Sequence, residues 1–167
     1  VDTYSQNSDT NRLTIPRNSI SLEIGGNAFL FGSLNYERVF QISENFYISG
    51  RVGVGAFYFN GVRSINVPIL VNAIYHVYHI LSVEAGVGST LFFIKVIQQE
   101  GDNYDVAKEN GLDPLITGLI GVRLQHPGKG FCFRFGFTPL IETRKTDPFM
   151  FSAKFIPIGG FSFGYSF

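Results

Sequence analysis

The segment GGFSFGYSF at 159–167 sets Phe161, Phe163, Tyr165 and Phe167 at every second position, with only Ser162, Gly164 and Ser166 between them. Side chains of a β-strand alternate between its two faces, so four aromatic rings turn one way and three small residues the other. A sheet in a water-soluble sandwich hides its bulky face in the core and shows its polar face. A strand that meets lipid reverses this, with apolar residues outward and polar residues toward a lumen. The rest of the chain decides between the two arrangements.

The same period recurs in eight segments, an even number as a closed antiparallel barrel requires. They lie at about 19–26, 29–40, 46–59, 66–75, 81–93, 114–125, 131–138 and 149–167, the last interrupted at Pro157 and Gly159-Gly160, where a bulge is expected. In the first, Ile20, Leu22 and Ile24 oppose Ser19, Ser21 and Glu23. In the third, Phe46, Ile48, Val52 and Val54 oppose Tyr47, Ser49, Arg51 and Gly53. The seventh is the most one-sided, with Phe131, Phe133, Phe135 and Phe137 against Cys132, Arg134, Gly136 and Thr138. The links at 41–45, 76–80 and 126–130 are compact, and the link at 95–113 is long and polar. Gly25-Gly26 has no following helix and reads as a tight hairpin.

Composition closes other routes. A spanning helix needs about 20 apolar residues in a row, and runs such as 67–73 are broken by Pro68 and Asn72. The mean hydropathy of +0.16 alone would not betray a membrane protein, because alternating strands dilute the signal. Basic residues are scattered and the net charge is zero, so no stripe suits nucleic acid. A single cysteine, Cys132, excludes an intrachain disulfide and any cysteine-rich metal cage. The chain opens on the polar stretch VDTYSQNSDTNR without a signal peptide, which for an exported protein means the mature form with the signal removed. Residues 1–17 are expected to form a polar tail and 18–167 the barrel.

The inward faces carry Glu23, Glu37 and Glu84 against Arg51, Arg123 and Arg134. Each such charge buried without a partner costs several kcal/mol, so a balanced set implies a paired network. The compact links place Glu37 diagonal to Arg51, Asn72 opposite Glu84, and Arg123 beside Arg134, with Glu84 and Glu23 as the carboxylates the two arginines share. An eight-stranded barrel is just wide enough for its side chains to fill. The expected fold is therefore all-β: a closed, eight-stranded antiparallel transmembrane barrel with a filled polar lumen and no open pore.

The stretches at 20–40 (ISLEIGGNAFLFGSLNYERVF) and 123–141 (RLQHPGKGFCFRFGFTPLI), with the terminal FSFGYSF, resemble small outer-membrane β-barrel proteins of Bacteroidota-type Gram-negative bacteria. The likeness covers the strand region, 19–167, and not the polar tail. It implies an outer-membrane location and contact with membrane lipid and lipopolysaccharide; with the compact links as periplasmic turns and the long link outside, strand parity puts both termini in the periplasm. It also implies that Phe163, Tyr165 and Phe167 are similar to the signal read by the barrel-insertion machinery. Without Trp, Tyr36, Tyr47, Tyr58, Tyr75 and Tyr78 are left to supply an interfacial girdle.

Chemistry is sparse. His76, His79 and His126 lie in or beside compact links, and no Ser/His/acid set is legible. Glu100, Asp102, Asp105, Glu109 and Asp113 lack the spacing of a calcium loop. No catalytic residue, cofactor or metal is expected. The expected function is a non-enzymatic structural or accessory barrel, standing alone or packed against a larger outer-membrane complex. Two alternatives stay open: an outer-leaflet lipid-modifying enzyme, and a soluble lipocalin-like ligand-binding barrel.

Overall fold

The computed structural model describes residues 15–28, 32–59, 62–96, 111–142 and 155–167. Eight strands follow one another: β1 (Asn18–Gly25), β2 (Ser33–Gln41), β3 (Phe46–Phe59), β4 (Val62–Tyr78), β5 (Leu81–Val96), β6 (Gly111–Gln125), β7 (Gly130–Glu142) and β8 (Phe155–Ser166). Each pairs antiparallel with the next, and β8 returns to β1, closing the barrel. The sequence expectations at 1–14, 29–31 and 149–154 lie outside the described residues, as do Glu100, Asp102, Asp105 and Glu109.

Inside and outside follow the alternation. On β7, Cys132, Arg134 and Thr138 are buried, while Phe131, Phe133, Phe135 and Phe137 stand exposed. The interior has three layers. Where the compact links lie, Ile15 joins Val39, Tyr47 and Ile74 in an apolar plug, held by a hydrogen bond from the Val39 N–H to the Arg17 carbonyl (2.7 Å). At the opposite end Phe92, Leu115, Leu140 and Ile158 form a second apolar cluster. The charges occupy the space between. Tyr47 is thus a luminal residue rather than part of a girdle, whereas Tyr36, Tyr75 and Tyr78 face outward; the Tyr58 side chain lies outside the described residues.

Three local expectations change. The bulge at Pro157 and Gly159-Gly160 is not present, since β7 and β8 pair without a shift from Gly130↔Ser166 to Ile141↔Phe155. A proline breaks a ladder only where its N–H would have bonded, and β1 ends its pairing with β8 at Gly25↔Gly160, so Pro157 faces no β1 partner. The β4–β5 register moves by two: β4 runs on to Tyr78, the turn shrinks to His79-Ile80 with His79 at φ 48°, and Asn72 lies opposite Gly86, leaving Ile74 opposite Glu84. Finally, Gly25 and Gly26 do not make a hairpin. With φ of 73° and 60° they turn the chain into a short 3-10 segment, Gly26–Ala28, that tucks into the lumen. Both positive φ values lie where L side chains are strained, and a Cβ on Gly25 would also run into the Gly159 carbonyl, so glycine suits the turn.

Candidate functional site

Polar side chains are concentrated in the middle layer of the lumen, and all six ionic residues face it. Glu37 on β2 is the hub. Its Oε1 accepts from Arg123 Nη2 at 2.7 Å and from Ser49 Oγ at 2.7 Å, and its Oε2 accepts from Arg134 Nη2 and from Ser19 Oγ at 3.3 Å. Arg123 reaches on to Glu84, with Nη2 at 2.8 Å and Nε at 3.0 Å from the same Oε2, and donates through Nη1 to Gln125 Oε1 at 3.3 Å. Arg134 Nε lies 4.0 Å from Glu84. Two carboxylates and two guanidinium groups therefore form one neutral cluster drawn from β2, β5, β6 and β7.

The second cluster is neutral as well. Arg51 Nη1 pairs with Glu23 Oε2 at 3.4 Å, Asn35 Nδ2 donates to the same oxygen at 3.3 Å, and the backbone N–H of Asn27 donates to Glu23 Oε1 at 2.9 Å. The inward 3-10 turn thus caps this cluster, and Thr90 Oγ1 donates to the Asn27 carbonyl at 2.9 Å to hold the turn across the barrel. A residual cavity of about 10 Å³, bordered by Glu23, Arg51, Glu84 and Arg134, separates the clusters. That is room for about one water molecule.

Two pairings differ from the sequence expectation. Glu37 lies directly opposite Arg51, not diagonal to it, and yet Arg51 pairs with Glu23. Arg123 and Arg134 face each other across β6 and β7 and share Glu37 and Glu84, not Glu84 and Glu23. The reason is geometric: long inward side chains in a narrow barrel reach across the lumen, so partners are set by height and not by strand adjacency.

Sequence spacing also missed one contact. His76 Nδ1 lies 3.3 Å from Ser82 Oγ across the short β4–β5 turn. No carboxylate orients this histidine among the described residues, and Ser82 is buried opposite Arg123, so the pair lacks the third member and the access that nucleophilic catalysis needs. Among the described residues no group of His, Cys, Asp and Glu side chains could hold a metal. Cys132 points into the lumen beside Gln125. Phe163, Tyr165 and Phe167 stand on the outer wall, where Phe163 stacks on Phe131 with ring centroids 5.5 Å apart and Tyr165 meets the same ring edge-on at 5.9 Å.

No protein-family model and no curated protein matches the chain. Among solved structures it is similar to the crystal structure of the N-terminal β-barrel domain of Pseudomonas aeruginosa OprF, at 13% identity over 91% of this chain and 99% of that one, with a TM-score of 0.52. At that identity the likeness is one of fold: a closed, eight-stranded antiparallel barrel, seen in an outer-membrane protein.

Proposed function

We propose that the chain is a non-enzymatic β-barrel of a bacterial outer membrane, structural or accessory in role, with its compact turns and both ends of the barrel strands β1 and β8 that meet there on the periplasmic side. One observation carries this reading. The wall is inverted relative to a soluble protein: Arg123 is 0% exposed between two carboxylates while Val87 and Ile120 are 70% and 67% exposed on the outside. Contiguous apolar surface on this scale marks contact with lipid or a partner. A soluble lipocalin-like barrel needs the opposite, an apolar interior able to hold a ligand. The lumen here is filled by ion pairs and plugged at both ends.

Lipid, lipopolysaccharide, the insertion machinery and a larger outer-membrane complex are the partners this reading implies. The accessory role rests on the wall of β7 and β8, where Phe133 meets Phe163 at 5.1 Å and Phe135 meets Phe161 at 5.0 Å in an aromatic ladder that a neighbouring barrel could cover as well as lipid. Pull-down from mild detergent tests it: a stoichiometric membrane partner supports an accessory subunit, and recovery of the barrel alone refutes it. In planar bilayers the purified protein is expected to give no steady conductance, because side chains fill the lumen. A stable channel of single size would overturn the closed-lumen reading.

A further inference from the structure

On the outer wall of β1, β2 and β3 the residues fall into rows set by the register. Asn18, Arg38 and Gly50 form one row, Ile20, Tyr36 and Val52 the next, and Leu22, Leu34 and Val54 the third. The second and third rows border a shallow apolar groove lined by Ile20, Leu34, Tyr36, Val52 and Val54. The first row places a positive charge at the groove's end nearest the compact turns. Arg38 is an outward-facing cation on a wall that is otherwise apolar from there to the barrel's middle.

Three features make this end of the groove a seat and not only a charge. Among the described residues no carboxylate pairs with Arg38, whose guanidinium lies 5.6 Å from the centre of the Phe40 ring. Beside it Gly50 leaves open space, since a Cβ built there meets nothing within 4 Å. On the other side the Tyr36 hydroxyl donates to Asn18 Oδ1 at 2.8 Å, which leaves the Asn18 amide nitrogen as a second donor in the row.

We infer that this row and groove bind one glycerophospholipid of the leaflet on the compact-turn side, its phosphate on Arg38 in the opening over Gly50 and an acyl chain along Tyr36, Leu34, Val52 and Val54. The depth fits. Arg38 stands three residues before the end of β2 at Gln41, which at about 3.3 Å per residue and a strand tilt of about 40° puts it roughly 7 to 8 Å inside the barrel end, at headgroup level. A guanidinium matches a phosphate's oxygens in geometry and charge, and the ring beneath it restricts its motion. The inference rests on the membrane reading above.

The test is native mass spectrometry of the full chain released from detergent after titration with phosphatidylglycerol, and in parallel with diacylglycerol of the same acyl chains. The wild type is expected to retain one phosphatidylglycerol and to retain diacylglycerol about tenfold less. Arg38→Gln should lower phosphatidylglycerol retention by about tenfold and leave diacylglycerol unchanged. Gly50→Leu keeps the charge and fills the opening, so it should lower phosphatidylglycerol retention as well; a diffuse charge effect would not respond to it. Equal retention by Arg38→Gln, by Gly50→Leu, or of both lipids by the wild type would overturn the site, as would a protein dimer forming in place of the lipid adduct. Flotation of each variant with vesicles separates the two readings. A protein that floats but shows no selectivity refutes the lipid site alone, and one that does not float refutes the membrane reading itself.

Discussion

Val122 and Arg123 are neighbours on β6, and their surroundings could hardly differ more. Val122 stands half-exposed on the outer wall, while Arg123 is fully buried and touches Glu37, Glu84 and Gln125. The outer wall asks only that a side chain be apolar, and its residues need no specific partner. The lumen asks that each charge find a partner of opposite sign, because a buried charge left unpaired costs several kcal/mol. The wall should therefore tolerate exchange among apolar residues and punish charge, and the lumen should punish the loss of any single ionic partner.

The lumen should show the largest effect. Among the described residues Arg123→Met leaves Glu84 with the 4.0 Å contact to Arg134 as its one ion pair, and removing one member of a buried ionic set costs about 3 to 5 kcal/mol. Urea unfolding in detergent micelles should show that loss. Adding Glu84→Gln removes the orphaned charge and should recover part of it, since Glu37 and Arg134 then remain as a neutral pair. Additive losses in the double variant would mean that the network is not coupled.

The wall gives the next largest effect. Val87 on β5 lies opposite Val71 and Gly118, near mid-strand, and Val87→Arg should cost about 2 to 4 kcal/mol in lipid vesicles. Arg replacing Tyr78, at the compact-turn end, should cost no more than about 1 kcal/mol. A wall that faced water would show no difference between the two sites.

The smallest effect on stability is expected at the β8 aromatics. Replacing Tyr165 and Phe167 with Ser removes the edge-on contact of Tyr165 with Phe131, worth about 0.5 to 1.5 kcal/mol. If these positions also form an assembly signal, the variant should refold in micelles yet fall in outer-membrane abundance in cells. Normal abundance would refute that role, and failure to refold would assign the aromatics to barrel stability instead.

How much of this was legible depended on the distance over which the physics acts. Alternation is local, so β3 at Phe46–Phe59 and the inward set of charged residues can be read directly from residue order. Registers were legible only as far as the turns were: the β4–β5 pairing slipped by two because nothing in the sequence announces that β4 continues to Tyr78 and turns on His79 at positive φ. Partner choice was not legible, because Glu37 is joined by arginines from β6 and β7 across the lumen. The plug was hidden too. Ile15 lies near the end of a tail that is mostly polar, and its burial against Tyr47 and Ile74 depends on where the barrel mouth falls. The inward turn at Gly26–Ala28 left one trace, the paired glycines, and that trace is shared with ordinary hairpins.

Spin-label accessibility along β5 tests whether the outer wall faces lipid. In a Cys132→Ser background, labels placed one at a time at Val83, Ala85 and Val87, all outward, would be measured in vesicles against oxygen and a water-soluble nickel complex, with His79 in the turn as the aqueous reference. Oxygen should reach all three strand labels, the nickel complex should reach only His79, and the ratio should rise from Val83 to Val87 as the label moves toward the bilayer centre. Nickel accessibility at Val87 equal to that at His79 would contradict the account.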